Sequence, residues 1–123
     1  MIIKAERKRI EEDTDNNLWL IDFRDEKQDL RGRIEIPSTI AKMEEVKEFE
    51  IEIISSEKKK EPIDNSNARI IFNSTSFRTK QTKPLGKEKI YSFSAGGLMV
   101  RLFVKKALPE FKGALKQYVI IVR

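Results

Sequence analysis

Apolar residues recur at every second position over much of this chain. The clearest case is Lys47–Ser55, where Phe49, Ile51 and Ile53 alternate with Glu48, Glu50 and Glu52. That spacing puts one set of side chains on a buried sheet face and the other in water, so the segment reads as a strand. Its outward glutamates form a negative ladder, which needs basic residues on a neighbouring strand. Leu30–Ile36 alternates as well, with Leu30, Ile34 and Ile36 inward and Arg31, Arg33 and Glu35 outward. Gly32 falls on the inward face and predicts a bulge or a strong bend. Leu18–Arg24 has Trp19, Ile21 and Phe23 on one face and Leu18 and Leu20 on the other, the pattern of a central strand buried on much of both sides.

Weaker patterns complete the chain. Ile2–Ile10 reads as a strand, and the polar Glu11–Asn17 as the loop that follows it. Ala68–Arg78 reads as a strand with Ile70 and Phe72 on one face; Glu88–Ala95, Leu98–Lys105 and Gln117–Val122 read as three more. Asp25–Asp29, Ser56–Asn67, Thr79–Lys87 and Ala107–Gly113 are turn or loop segments. After Pro37, residues Ile40–Glu45 predict one helical turn capped by Ser38 or Thr39. About eight short strands with at most one helical turn predict an all-β sandwich or small closed barrel, one domain over residues 1–123.

Composition narrows the chemistry. The chain has no cysteine and no histidine, which removes disulfides, thiolate chemistry, the commonest general base and the commonest metal ligand. No nucleophile motif surrounds the serines or lysines. Glu11, Glu12, Asp13 and Asp15 lack the glycine and spacing of a calcium loop. The expectation is therefore a non-catalytic protein with no metal, cofactor or small-molecule substrate. No apolar run approaches a membrane span and no signal-peptide pattern occurs, which predicts a cytoplasmic location. Abundant Lys, Glu, Arg and Ile fit a thermophile's protein. Charge is split along the chain: residues 1–66 hold 13 Lys and Arg against 18 Asp and Glu, net −5, and residues 67–123 hold 12 against 2, net +10. A basic half suggests nucleic acid or an acidic partner, unless the two halves cancel in space.

The segment Tyr91–Arg123 carries the most specific pattern. Gly96-Gly97 sits between two β-prone runs, where a glycine pair serves either a tight hairpin turn or the close approach of another segment. In the second run Leu98, Val100, Leu102 and Val104 share a face, and Met99, Arg101 and Phe103 share the opposite one. The string resembles the C-terminal signature of the small eighth subunit shared by eukaryotic nuclear RNA polymerases, in its archaeal form. Gly96, Gly97, Leu98, Arg101 and Leu102 match the glycine-leucine-arginine core of that signature. Met99 and Val100 replace similar apolar residues, and Tyr118–Arg123 matches its closing strand in character. Ser94-Ala95 departs from it by lengthening the approach to the glycines.

The resemblance implies an OB-type barrel of eight antiparallel strands, archaeal origin, and docking on the largest polymerase subunit in support of assembly and stability. Phe93, Gly96, Gly97, Leu98, Met99, Arg101 and Phe103 are then the expected partner contacts, Arg101 meeting a carboxylate or a carbonyl, with strand addition at a sheet edge as one docking mode. The alternative is a free-standing OB-fold binder of single-stranded nucleic acid, with Phe77, Tyr91 and Phe93 stacking on bases. Lys58, Lys59, Lys60, Arg78, Lys80 and Lys83 are the candidate nucleic-acid contacts under either reading, the lysine triplet being otherwise a solvated loop.

Overall fold

The computed structural model describes residues 1–58, 63–77 and 88–123, with Lys58 described through its backbone only. Among the described residues eight strands form: β1 (Ile2–Asp13), β2 (Leu18–Asp25), β3 (Leu30–Pro37), β4 (Glu48–Ser55), β5 (Ile70–Phe77), β6 (Lys89–Ala95), β7 (Leu98–Val104) and β8 (Gln117–Val122). Every pairing is antiparallel. The order β1-β2-β3-β7-β6-β5-β8-β4 closes on itself, because β4 also pairs with β1. The chain is thus an all-β closed barrel, one of the two architectures its alternating pattern predicts, and it fits the small OB type that the resemblance implies. Closure gives each strand two neighbours, but not along its whole length: among the described residues β1 from Arg9 onward is in register with β2 alone, and β5 from Ile70 to Ser74 with β8 alone.

Alternation builds the core. Trp19, Ile21 and Phe23 from β2, Leu30, Ile34 and Ile36 from β3, and Phe49, Ile51 and Ile53 from β4 are all buried. Val100, Leu102 and Val104 join them from β7. Two segments outside the strands add to this core. Ala41 and Met43 follow β3, and the Trp19 indole donates to the Ala41 carbonyl at 3.1 Å. Phe111, in a 3-10 turn at Pro109–Phe111, packs edge-on against Phe93 and Tyr118, each centroid 5.3 Å away.

Several expectations are corrected. Residues 40–45 form turns rather than a helix, with Ile40 and Ala41 both donating to the Pro37 carbonyl. The short helical pieces lie instead at Ser56–Lys58 and Pro109–Phe111, within segments that read as loops. Strand β1 runs on to Asp13, three residues into the expected loop. Gly32 makes no bulge, since register passes unbroken through it on both sides. The irregularity falls in β1 between Arg7 and Arg9.

That irregularity has a purpose in the fold. β1 pairs with β4 over Ile2–Glu6 and with β2 over Glu6–Asp13, so it serves both sides of the barrel in turn. Where it has left β2, Asp25 and Gln28 replace the missing strand. The Asp25 carboxylate accepts the Lys4 N–H at 3.0 Å, and the Gln28 amide donates to the Ile2 carbonyl at 2.9 Å and to Asp25 at 2.6 Å. These bonds satisfy backbone groups that would otherwise be orphaned at the corner.

The glutamate ladder of β4 finds counterions in part. Lys4 lies opposite Glu50 on β1, and the Arg123 guanidinium reaches Glu52 at 2.9 Å and Glu50 at 3.6 Å, but Glu48 lies opposite Glu6, a like charge.

A candidate interaction face on strand β7

The β6–β7 hairpin turns at Gly96 and Gly97, whose φ values are 58° and 93°. Ala95 faces Leu98 across this two-residue turn. Positive φ at both central positions is the conformation glycine adopts without steric cost. Among the described residues, chain neighbours apart, nothing lies within 4 Å of where a Cβ would stand at either glycine, so their role there is the turn itself.

Beyond the turn, β7 is shared between β6 and β3. Pairing with β3 runs from Leu30↔Val104 to Ile34↔Val100. Past that point the Met99 N–H donates to the Glu35 carboxylate at 2.8 Å, a side chain standing in where the strands part. Met99 and Phe103 are half-buried and Arg101 is exposed, as the alternation predicts. Leu98 is half-buried on the inward side, and Gly96 and Gly97 are exposed at the tip. Phe93 departs from expectation. It is 1% exposed in the aromatic cluster with Phe111 and Tyr118, so it lies in the core and not on the outward face of β7.

Register adds residues that the sequence pattern could not join to this face. Arg31 lies opposite Phe103, with its guanidinium carbon 4.3 Å from the ring centroid, a cation–π contact. The same guanidinium reaches Glu88 at 2.9 Å. Arg33 lies between Asp22 on β2 and Arg101 on β7, and its Nε is 3.5 Å from the Asp22 carboxylate. A shallow recess of ≈ 350 Å³ opens here over Gly32, walled by Arg24, Arg31, Arg33 and Phe103. At its border Asp29 bridges Arg24 at 3.0 Å and Lys105 at 3.4 Å. The Lys105 ammonium, followed by Arg24, holds the Asp29 carboxyl below its ordinary range.

The other expected contacts divide differently. Lys59, Lys60, Arg78, Lys80 and Lys83 lie outside the described residues, and the Lys58 side chain does too. Tyr91 is half-buried against the core, and its hydroxyl accepts the Leu108 N–H at 2.8 Å. With Phe93 fully buried, two of the three aromatics considered for base stacking point inward. A larger depression of ≈ 490 Å³ lies around Lys4, Asp25 and Phe49, where the Asp25 oxygens already serve the barrel corner. Among the described residues no group of three His, Cys, Asp or Glu could hold a metal, and no helix is long and apolar enough to cross a membrane. No family model matches this chain, and no curated protein does.

Proposed function

We propose that this chain is a non-catalytic subunit of an archaeal DNA-directed RNA polymerase, docking through the outer face of β7 on the largest subunit to support assembly and stability. The reading rests on the resemblance of Gly96–Leu102 and Tyr118–Arg123 to the eighth-subunit signature. The observation that carries it is the display of that signature: Met99, Arg101 and Phe103 line one outward face beside a hairpin that ends in two exposed glycines. Apolar side chains flanking a cation are the composition of interface anchors, which bind by excluding water around a central charge.

Arg101→Glu reverses the charge at the centre of the face and is expected to lower recovery of the chain with the largest subunit at least several-fold. Recovery at the wild-type level would refute the docking site. The second reading, a free-standing single-strand binder, draws on the cations around the Gly32 recess. It expects sub-micromolar, steeply salt-dependent oligonucleotide binding, and a flat titration would remove it.

A further inference from the structure

Arg33 and Arg101 stand directly opposite each other between β3 and β7. Like charges so placed repel, and strands normally avoid the arrangement. The remaining arginines of the described strands all have acceptors. Arg7 donates to the Glu44 carbonyl, Arg9 meets Glu11, Arg24 meets Asp29 and Arg31 meets Glu88. Arg33 has Asp22 alone, at 3.5 Å, and Arg101 has no acceptor among the described residues.

We propose that Arg33 and Arg101 together seat one carboxylate of a partner protein, an Asp or Glu side chain flanked by apolar residues. The inference rests on the reading of β7 as a protein-docking face and specifies what that face recognises. A carboxylate lying between two guanidiniums turns one repulsion into two attractive, hydrogen-bonded contacts. Half-buried Met99 and Phe103, two positions to either side of Arg101, offer apolar surface to the residues flanking that acid. A nucleic-acid strand fits less well. It presents a phosphate at every nucleotide and needs a row of uncommitted cations. Here Lys8, Arg24 and Arg31 are already engaged by Glu6, Asp29 and Glu88.

The test uses the isolated chain and three probes: a capped hexapeptide with one glutamate between leucines, the same peptide with glutamine, and oligothymidylate of six nucleotides. The glutamate peptide is expected to bind about tenfold more tightly than the glutamine peptide, with the difference lost in Arg101→Glu and in Arg33→Glu. Equal binding of the two peptides, or tighter binding of oligothymidylate with the same arginine dependence, would overturn the proposal. Folding supplies an independent readout. Arg101→Glu is expected to raise the Tm of the free chain by a few degrees, because the new carboxylate faces Arg33, with Arg101→Gln intermediate. A lowered Tm for both variants would also overturn it. Failure of the chain to assemble with a polymerase while the peptide binds would remove the proposed function and leave the seat. Assembly undiminished by either charge reversal would remove the seat and the β7 docking site, and leave only membership of the polymerase.

Discussion

The Phe23 ring occupies the space that a side chain on Gly32 would need. The two residues are opposed across β2 and β3, and a Cβ on Gly32 would lie 2.4 Å from Phe23 Cζ and 2.7 Å from the Arg101 carbonyl oxygen. Gly32→Ala is therefore expected to destabilise the barrel by about 1–3 kcal/mol, measured by urea unfolding. Adding Phe23→Leu should restore only part of this, since the Arg101 carbonyl belongs to the backbone and cannot step aside. A fully stable Gly32→Ala would contradict the packing described.

The hairpin glycines invite the opposite kind of test. Open space surrounds both Cβ positions, so substitution there costs backbone strain alone. Gly97, at φ 93°, lies farther from the conformations open to side-chain-bearing residues than Gly96 at 58°. Gly97→Val is expected to cost about 1–3 kcal/mol and Gly96→Asn well under 1, because asparagine enters the left-handed region readily. Equal losses at both positions in thermal melts would count against the two-residue turn.

Asp25 makes acid stability specific. It is 4% exposed, and burial alone would raise its pKa, yet hydrogen bonds from the Gln28 side chain and from the Lys4 and Gln28 amides outweigh burial and hold it below the ordinary range. A carboxyl depressed in the folded state stabilises the fold fully above its unfolded-state pKa and loses that contribution as pH falls through the folded value. Asp25→Asn should thus cost about 1–2 kcal/mol at pH 7. The gap from the parent chain should narrow steadily below about pH 4. A gap that widens on acidification would show the sign to be wrong.

Arg123 balances part of the charge of β4. Its side chain is 19% exposed and bridges Glu50 and Glu52 while donating to the Asp64 carbonyl at 2.9 Å. Arg123→Ala leaves two neighbouring glutamates to repel and is expected to cost about 0.5–2 kcal/mol, less in 1 M salt because screening weakens that repulsion. A loss unaffected by salt would assign the residue's contribution to packing instead.

The sequence pattern reaches the barrel because parity is local: residues two apart share a face whatever strand lies next door. It places Phe49, Ile51 and Ile53 inside and Met99, Arg101 and Phe103 outside. It asks for counterions to the β4 glutamates, which Arg123 supplies to Glu50 and Glu52 while Glu48 faces Glu6. What it misses depends on partners distant in the chain. Gly32 reads as a bulge or a strong bend because nothing local shows that Phe23 fills the space beside it. Phe93 reads with its neighbours as part of the partner face, although its own parity sends it into the core with Phe111 and Tyr118. Arg33 reads as an ordinary outward arginine, since only the β3–β7 register sets it against Arg101. The turns at 40–45 defeat helix reading because Met43 is drawn into the core and the Ala41 carbonyl is taken by Trp19.

The central claim is that this barrel serves a polymerase through the outer face of β7. The direct measurement is affinity purification of the tagged chain from its own cells, with its partners identified by mass spectrometry, for the parent and Arg101→Glu in parallel. Stoichiometric recovery of the largest polymerase subunit with the parent chain, and its loss with the variant, is the predicted result. Recovery of the parent chain without polymerase subunits would contradict it.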